Sequence, residues 1–160
     1  MVAVSSGEGL VLLEFADRRM LPAQLERVRR LFPGSPIRPG KSGHADRIRD
    51  ELGEWFAGER RSFATPLIRR GSPFQQAAWA ALDRIPYGAT RSYQQQAATL
   101  GRPGAERAVG RANGDNRLAI VIPCHRVIRA DGSHGGYGGG LWRKQRLLGI
   151  EQAHAVRAAR

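Results

Sequence analysis

Cys124 is the only cysteine of this chain, and it stands in the run Leu118, Ala119, Ile120, Val121, Ile122, Pro123, Cys124, His125, Arg126, Val127. A thiol, a base and a cation are thus consecutive. The thiolate is the reactive form of cysteine. A neighbouring imidazole can take the thiol proton, while Arg126 and the general surplus of cations favour the charged sulfur. A lone cysteine is otherwise usually a small inert hydrophobe, and a lone histidine a surface or structural imidazole. Their adjacency puts a nucleophile paired with a base ahead of both. The five apolar residues 118–122 predict a strand covered on both faces, which Pro123 ends because it cannot donate to a ladder. Successive strand residues point to opposite faces, so Cys124 and His125 can cooperate only on a bend. Residues 123–126 are therefore expected in a tight turn or single helical turn at the strand's carboxyl end, facing a cleft.

The rest of the chain must position that turn. With 160 residues it fits one large domain or two small ones. Lys and Arg number 26 against 14 acidic residues, and the net charge of +12 argues for a polyanionic partner such as nucleic acid. One cysteine excludes an intrachain disulfide and a thiolate-rich zinc cage, and a free thiol suits a reducing cytoplasm. No apolar stretch approaches the length of a membrane span, and Met1 to Phe15 lacks the basic end and cleavage site of a signal peptide. The expectation is a cytoplasmic protein without a membrane partner.

Val2–Val4 and Leu10–Phe15 flank the turn Ser5, Ser6, Gly7, Glu8, Gly9 and predict a β-hairpin. Leu21, Leu25, Val28 and Leu31 recur at helical spacing, and Pro33 to Gly43 is a loop. A second helix is expected over 45–56, with Ile48, Leu52, Trp55 and Phe56 as its buried stripe and Gly58 as its end. Residues 62–70 predict one more strand, and Gly71, Ser72, Pro73 mark a boundary between a small α/β domain, 1–70, and a chemical one, 71–160.

In the second part, Phe74, Ala77, Ala78, Ala81 and Leu82 predict a helix closed by Pro86 and the turn Tyr87, Gly88. Ser92 caps a helix over 93–100, Gly101 to Gly104 make a turn, and 105–113 form a second helix, a helix-turn-helix spacing. A plain helical hairpin has the same spacing, but the small residues Ala105, Ala108, Gly110 and Ala112 make a smooth helix able to lie against a narrow groove, with Arg107 as a single projecting probe. Residues 131–140 hold six glycines and Tyr137, without the spacing of a phosphate loop. They form either a flexible connection or a backbone surface that approaches a flat ligand closely, with Tyr137 as a wall. The final helix, expected over 141–151, packs Leu141, Leu147, Leu148 and Ile150 and turns Arg143, Lys144 and Arg146 outward.

Ser92-Tyr93-Gln94-Gln95, Arg107-Ala108-Val109-Gly110, Asn116, Pro123-Cys124-His125-Arg126-Val127, Tyr137-Gly138-Gly139 and Leu147-Leu148 to Glu151 together resemble the O6-alkylguanine-DNA alkyltransferases, also called methylated-DNA-protein-cysteine methyltransferases. Residues 72–151 carry nearly all of the resemblance. It implies a mixed α/β fold: a small ribonuclease H-like amino-terminal domain short of its first strand, then a mostly helical domain with a winged helix-turn-helix. It also implies direct reversal of DNA damage. The alkyl group of O6-alkylguanine in double-stranded DNA would pass irreversibly to Cys124, once per molecule, after the nucleotide is flipped out of the stack. The protein would act as a monomer without metal or other cofactor.

Position by position, the resemblance makes Cys124 the acceptor, His125 the base acting through a water, Glu151 the group that orients the imidazole, and Asn116 the hinge beside them. Tyr93 would donate to the flipped guanine, the carbonyls of Cys124 and Val127 would accept from its amino group, Tyr137 would wall the pocket, and the backbone at Gly138 would face the freed oxygen. Arg107 would fill the vacated space, with Ser92, Gln94, Ala108 and Gly110 against the DNA. Glu106, where relatives usually have a small or apolar residue, and Arg117, where many have proline, depart from the pattern. Three rivals remain. A lesion sensor would lack the thiol, a transcriptional helix-turn-helix protein would form no covalent product, and a Cys-His hydrolase normally brings its histidine from elsewhere in the sequence.

Overall fold

A computed structural model describes residues 1–157. The described residues form a mixed α/β fold with six α-helices and two small sheets, and they divide into two units. Residues 1–70 group with 117–119, and residues 71–116 group with the chain from Ile120 onward.

In the first unit the hairpin forms as expected. β1 (Val2–Ser5) and β2 (Leu10–Glu14) pair antiparallel, with an irregularity between Val4 and Ser5. Every residue of β2 is buried. α1 (Leu21–Leu31) sets Val28 beside Val11 and Leu12, and Leu21, Leu25 and Phe32 pack around them. α2 (Gly43–Ala57) ends at Gly58, whose φ of 81° is the left-handed conformation that glycine adopts without strain. Its inner stripe holds Ile48, Leu52 and Trp55, but Phe56 is 44% exposed. Adjacent helix residues differ by about 100° in direction, so Trp55 and Phe56 cannot both face one core. The expected strand at 62–70 reduces to a single parallel bridge between Leu67 and Leu10, because Pro66 contributes only its carbonyl, which accepts from Leu10 N at 2.8 Å.

The expected strand at 118–122 is also absent. Leu118 makes one parallel bridge to Leu13, and the chain then turns with Ile120 at φ 71°. Burial is met in four of the five positions: Leu118, Ala119, Ile120 and Ile122 are buried, and Val121 is partly exposed. An apolar run reports burial and not the conformation that achieves it. A β-branched residue in the left-handed region costs on the order of 1–3 kcal/mol, held here by the packing around Ile120.

The second unit opens with α3 (Pro73–Asp83), started by a reciprocal capping box between Ser72 and Gln75. α4 (Tyr93–Thr99) begins with the same device between Ser92 and Gln95. α5 (Glu106–Gly114) buries Val109, Ala112 and Asn113, while Arg107 and Arg111 are both exposed, so Arg107 is not a single projection. Gln96 and Asn113 exchange buried amide hydrogen bonds at 3.2 and 2.8 Å, and Trp79 Nε1 donates to the Ala112 carbonyl at 2.8 Å. These bonds fix α5 against α4 and α3. A parallel pair of two-residue strands, β3 (Arg91–Ser92) and β4 (Val127–Ile128), flanks α4.

α6 (Leu141–Arg157) runs past the expected end. Leu141 is exposed and Ile150 only partly buried, whereas Lys144, expected outward, is 0% exposed. Positions 144, 147, 148 and 151 share one helical face, so Lys144 and Glu151 enter the interior with Leu147 and Leu148 between them. Among the described residues, no helix is long and apolar enough to cross a membrane.

Candidate active site

Pro123 leads into a single 3-10 turn, Cys124–Arg126, which is the bend the cysteine and histidine require. Cys124 is partly exposed at its start. Asn116 is buried, and its Nδ2 donates to the Ile122 carbonyl at 2.9 Å and lies 3.3 Å from Cys124 Sγ. One amide therefore closes the excursion across 117–121 and touches the sulfur.

His125 and Glu151 are both 0% exposed. His125 Nε2 lies 2.9 Å from Glu151 Oε1. Arg126 grips the same carboxylate with Nε at 2.9 Å from Oε2 and Nη2 at 2.9 Å from Oε1, and its Nη1 donates to the Ile85 carbonyl at 2.6 Å. Gly88 N donates to Glu151 Oε2 at 3.0 Å. That approach demands glycine, since its φ is 79° and a Cβ there would meet the Ala155 Cβ at 2.7 Å.

Burial alone would raise the Glu151 pKa, but hydrogen bonds from His125 and Arg126 and their charges outweigh it and hold the carboxyl at about 2. An ionised carboxylate only accepts, so the His125 proton resides on Nε2 and the lone pair on Nδ1. Burial lowers the His125 pKa, with Arg126 and Lys144 adding to the effect and Glu151 opposing it. The imidazole is thus neutral and competent as a base. Arg126, expected to favour the thiolate, is instead committed to Glu151. Burial lowers the Lys144 ammonium to about 8, and the Cys124 charge opposes that shift.

Tyr93 is the first residue of α4. Its pKa is raised by burial and by the Cys124 charge, against the pull of Arg129, so its hydroxyl is a donor. It lines an open cavity of about 490 Å³ together with Gln94, Arg107, Gly110 and the glycines Gly135 and Gly136. Glu106 and Arg129 also line it, and neither was among the expected site residues. Cys124, Val127, Tyr137, Gly138, Ser92 and Ala108 are outside that lining. Val127 is fully buried and Gly138 exposed. Among the described residues, no group of three or more His, Cys, Asp or Glu side chains could hold a metal ion.

The fold and this turn define a protein with one partly exposed thiol beside a buried imidazole–carboxylate pair. Residues 73–153 match the family model of the 6-O-methylguanine DNA methyltransferase DNA-binding domain. The chain is 58% identical over 106 residues to a methylated-DNA–protein-cysteine methyltransferase of Mycolicibacterium paratuberculosis, covering 66% of this chain and 64% of that protein. It is 51% identical over 105 residues to the constitutive one of Bacillus subtilis, covering 65% and 64%. The match thus spans about 64% of these relatives' length. The crystal structure of Mycobacterium tuberculosis OGT in complex with DNA superposes with a TM-score of 0.81 at 41% identity, covering 95% of this chain and 86% of that one. The chain belongs to the 6-O-methylguanine DNA methyltransferase family.

Proposed function

We propose that the protein repairs DNA by moving the alkyl group of O6-alkylguanine in a duplex onto Cys124. The observation that carries this is the Cys124–Arg126 turn, in which a partly exposed thiol adjoins an imidazole oriented by a buried carboxylate. The names of its relatives and a relative's complex with DNA support the same reading.

His125 takes the thiol proton through a water, and Glu151 balances the imidazolium that results. The sulfur attacks the alkyl carbon in line. The S–C bond forms as the C–O6 bond breaks, and its electron pair passes into the purine. Tyr93 stabilises that charge by donating its hydroxyl, and the ring gains one proton to become guanine. The carbonyls of Cys124 and Val127 accept from the guanine amino group, Val127 through the lone pair that it does not give to Lys144. Tyr137 walls the pocket, and the Gly138 backbone faces the freed oxygen. A thioether is a poor leaving group, so each molecule acts once. The step calls on no metal or diffusible cofactor.

In-line attack needs the base outside the stack. α4 and α5 serve as a winged helix-turn-helix, with β3 and β4 beside it. Ser92, Gln94, Ala108 and Gly110 lie against the DNA, and Arg107 fills the gap left by the flipped nucleotide. Asn116 acts as the hinge. The first unit is ribonuclease H-like, with residues 1–70 and 71–160 as the two domains of a cytoplasmic monomer.

Incubation with an O6-methylguanine duplex should leave one methyl on the intact protein, and Cys124→Ala should bind the duplex yet gain none. Continued transfer by that variant would refute the assignment. Arg107→Ala should slow transfer from the duplex by about tenfold while leaving transfer from the free base within about twofold. Equal losses would remove the finger role.

A further inference from the structure

The Tyr93 ring is flanked by two different elements. A Cβ on Gly110 of α5 would lie 3.8 Å from Tyr93 Cε1, and one on Gly135 would lie 3.4 Å from Cε2 and 3.6 Å from the hydroxyl. Cε1 and Cε2 are opposite edges of the ring, so α5 runs along one edge and the glycine-rich segment along the other. Each edge carries a charge. Glu106 stands one helical turn before Gly110 on the same face of α5. The Cγ of Arg129 lies 3.4 Å from the Cβ position of Gly135. Both charged residues line the open cavity with Tyr93, Gln94 and Arg107. With Arg107 assigned to the gap in the stack, the charge left on the α5 edge is negative and that on the other edge positive.

Arg129 is held at its root and open at its tip. Its N donates to the Ser133 carbonyl at 2.8 Å and its carbonyl accepts from Gly132 N at 3.1 Å, which closes a turn with Gly132 at φ 83°. Asp131, the acid of that turn, accepts from Ser133 N at 2.8 Å. The Arg129 side chain is exposed, and among the described residues no hydrogen bond or ion pair engages its guanidinium. The cations nearby in the chain and on α6 are taken. Arg126 grips Glu151, Lys144 donates to the carbonyls of Val127 and His134, and Arg143 donates to the Gly139 carbonyl at 2.8 Å.

A planar guanidinium with its donors unmet matches a phosphate, which it binds with two parallel bonds. Phosphate contacts set the register of a nucleic acid without reading its sequence. A base that meets the Tyr93 hydroxyl has its flanking phosphates one sugar away, and of the two ring edges only that of Arg129 attracts them. Building on the alkyl-transfer reading, we infer that Arg129 is a positioning residue that grips a backbone phosphate flanking the flipped nucleotide and so holds its base against Tyr93.

The test is single-turnover methyl transfer, below saturation, from O6-methylguanine duplexes in which one phosphate is replaced by an uncharged methylphosphonate. The replacement is placed on either side of the lesion in turn, or several nucleotides away. At one of the two flanking positions the wild-type rate should fall about tenfold, the loss expected of a charge-assisted bond. Arg129→Gln, already about tenfold slower on the unmodified duplex, should fall there by no more than about twofold. The distant replacement should affect both proteins alike. Arg129→Lys keeps the charge but not the fork and should retain the sensitivity. Arg129→Gln should also lessen the slope of log affinity against log salt by about 0.9. Its transfer from the free base, which has no phosphate, should stay within about twofold of wild type. Equal losses in wild type and Arg129→Gln at both flanking positions would overturn the proposal. So would an equal slowing of duplex and free base, which would place Arg129 in the shape of the pocket. If wild-type protein accepts no methyl from the unmodified duplex, the alkyl-transfer reading falls instead, while the salt slope would still report on Arg129.

Discussion

Each unit of the molecule is built around a buried glutamate on a helix, and the two carboxylates do different things. Glu51 of α2 accepts from Ala64 N at 3.1 Å, Thr65 N at 3.2 Å and Thr65 Oγ1 at 2.9 Å, with Arg47 at 3.2 Å. Burial would raise its pKa, but the Thr65 hydroxyl and amide, the Ala64 amide and Arg47 bring it below the usual carboxylate range. Glu151 of α6 is likewise held low, but one of its partners is an imidazole. Glu51 pins a loop to a helix with groups that do not titrate near neutrality. Glu151 sets the tautomer of an imidazole whose neighbour in the chain is the Cys124 thiol. A depressed carboxylate therefore does not by itself mark a site; the chemistry of its partners does.

Glu151→Gln should give the largest effect. It removes the orientation and charge balance of His125 and should slow methyl transfer by a hundredfold or more, on the order expected when general-base catalysis is lost. The variant also strands Arg126 in the interior, at a cost of about 3–5 kcal/mol in chemical denaturation. A folded Glu151→Gln protein with near wild-type transfer would erase the distinction between the two carboxylates.

The same carboxylate should dominate acid unfolding. Its folded pKa of about 2 lies below its ordinary 4.5. The unfolded chain therefore binds the proton first, and stability is full above about pH 4.5 and is lost as the pH falls toward 2. The contribution is on the order of 3 kcal/mol. Glu51 acts with the same sign. Glu151→Gln should flatten stability against pH across that window, and an unchanged slope would show that the carboxylate does not titrate there.

Glu51→Gln should give the smallest change. Losing charge-assisted bonds to the 64–65 backbone should cost about 1–3 kcal/mol of stability. Methyl transfer by the folded fraction should stay within about twofold of wild type. A large loss of transfer at unchanged stability would show that Glu51 belongs with the chemistry after all.

Much of this was legible in the sequence, and the misses share a cause. The hairpin, the capped start of α4, the glycine end of α2 and the bend at Cys124 follow from local chemistry, in which each signal lies within a few residues of its effect. The run 118–122 announces burial without its conformation, and its strand proved to be a turn through Ile120. Lys144 was expected outward because charge normally faces water, yet its place on the face of Leu147, Leu148 and Glu151 was there to be read from helical spacing. The partners that make its burial tolerable come from β4 and the glycine-rich segment, which no local pattern announces. Arg126 likewise depends on Glu151 and on the Ile85 carbonyl, 25 and 41 residues away. The pairing of Glu151 with His125 was visible only through the family resemblance, because a lone carboxylate on a helix carries no signal of the imidazole it will meet.

The most direct test is to incubate the protein with excess duplex whose O6-methylguanine carries an isotopically labelled methyl, then to map the label by peptide mass spectrometry. The label should reach one methyl per protein, all of it on the peptide containing Cys124, and rise no further with time. Label on any other residue, release of methyl with continued turnover, or no label on folded protein would contradict the account.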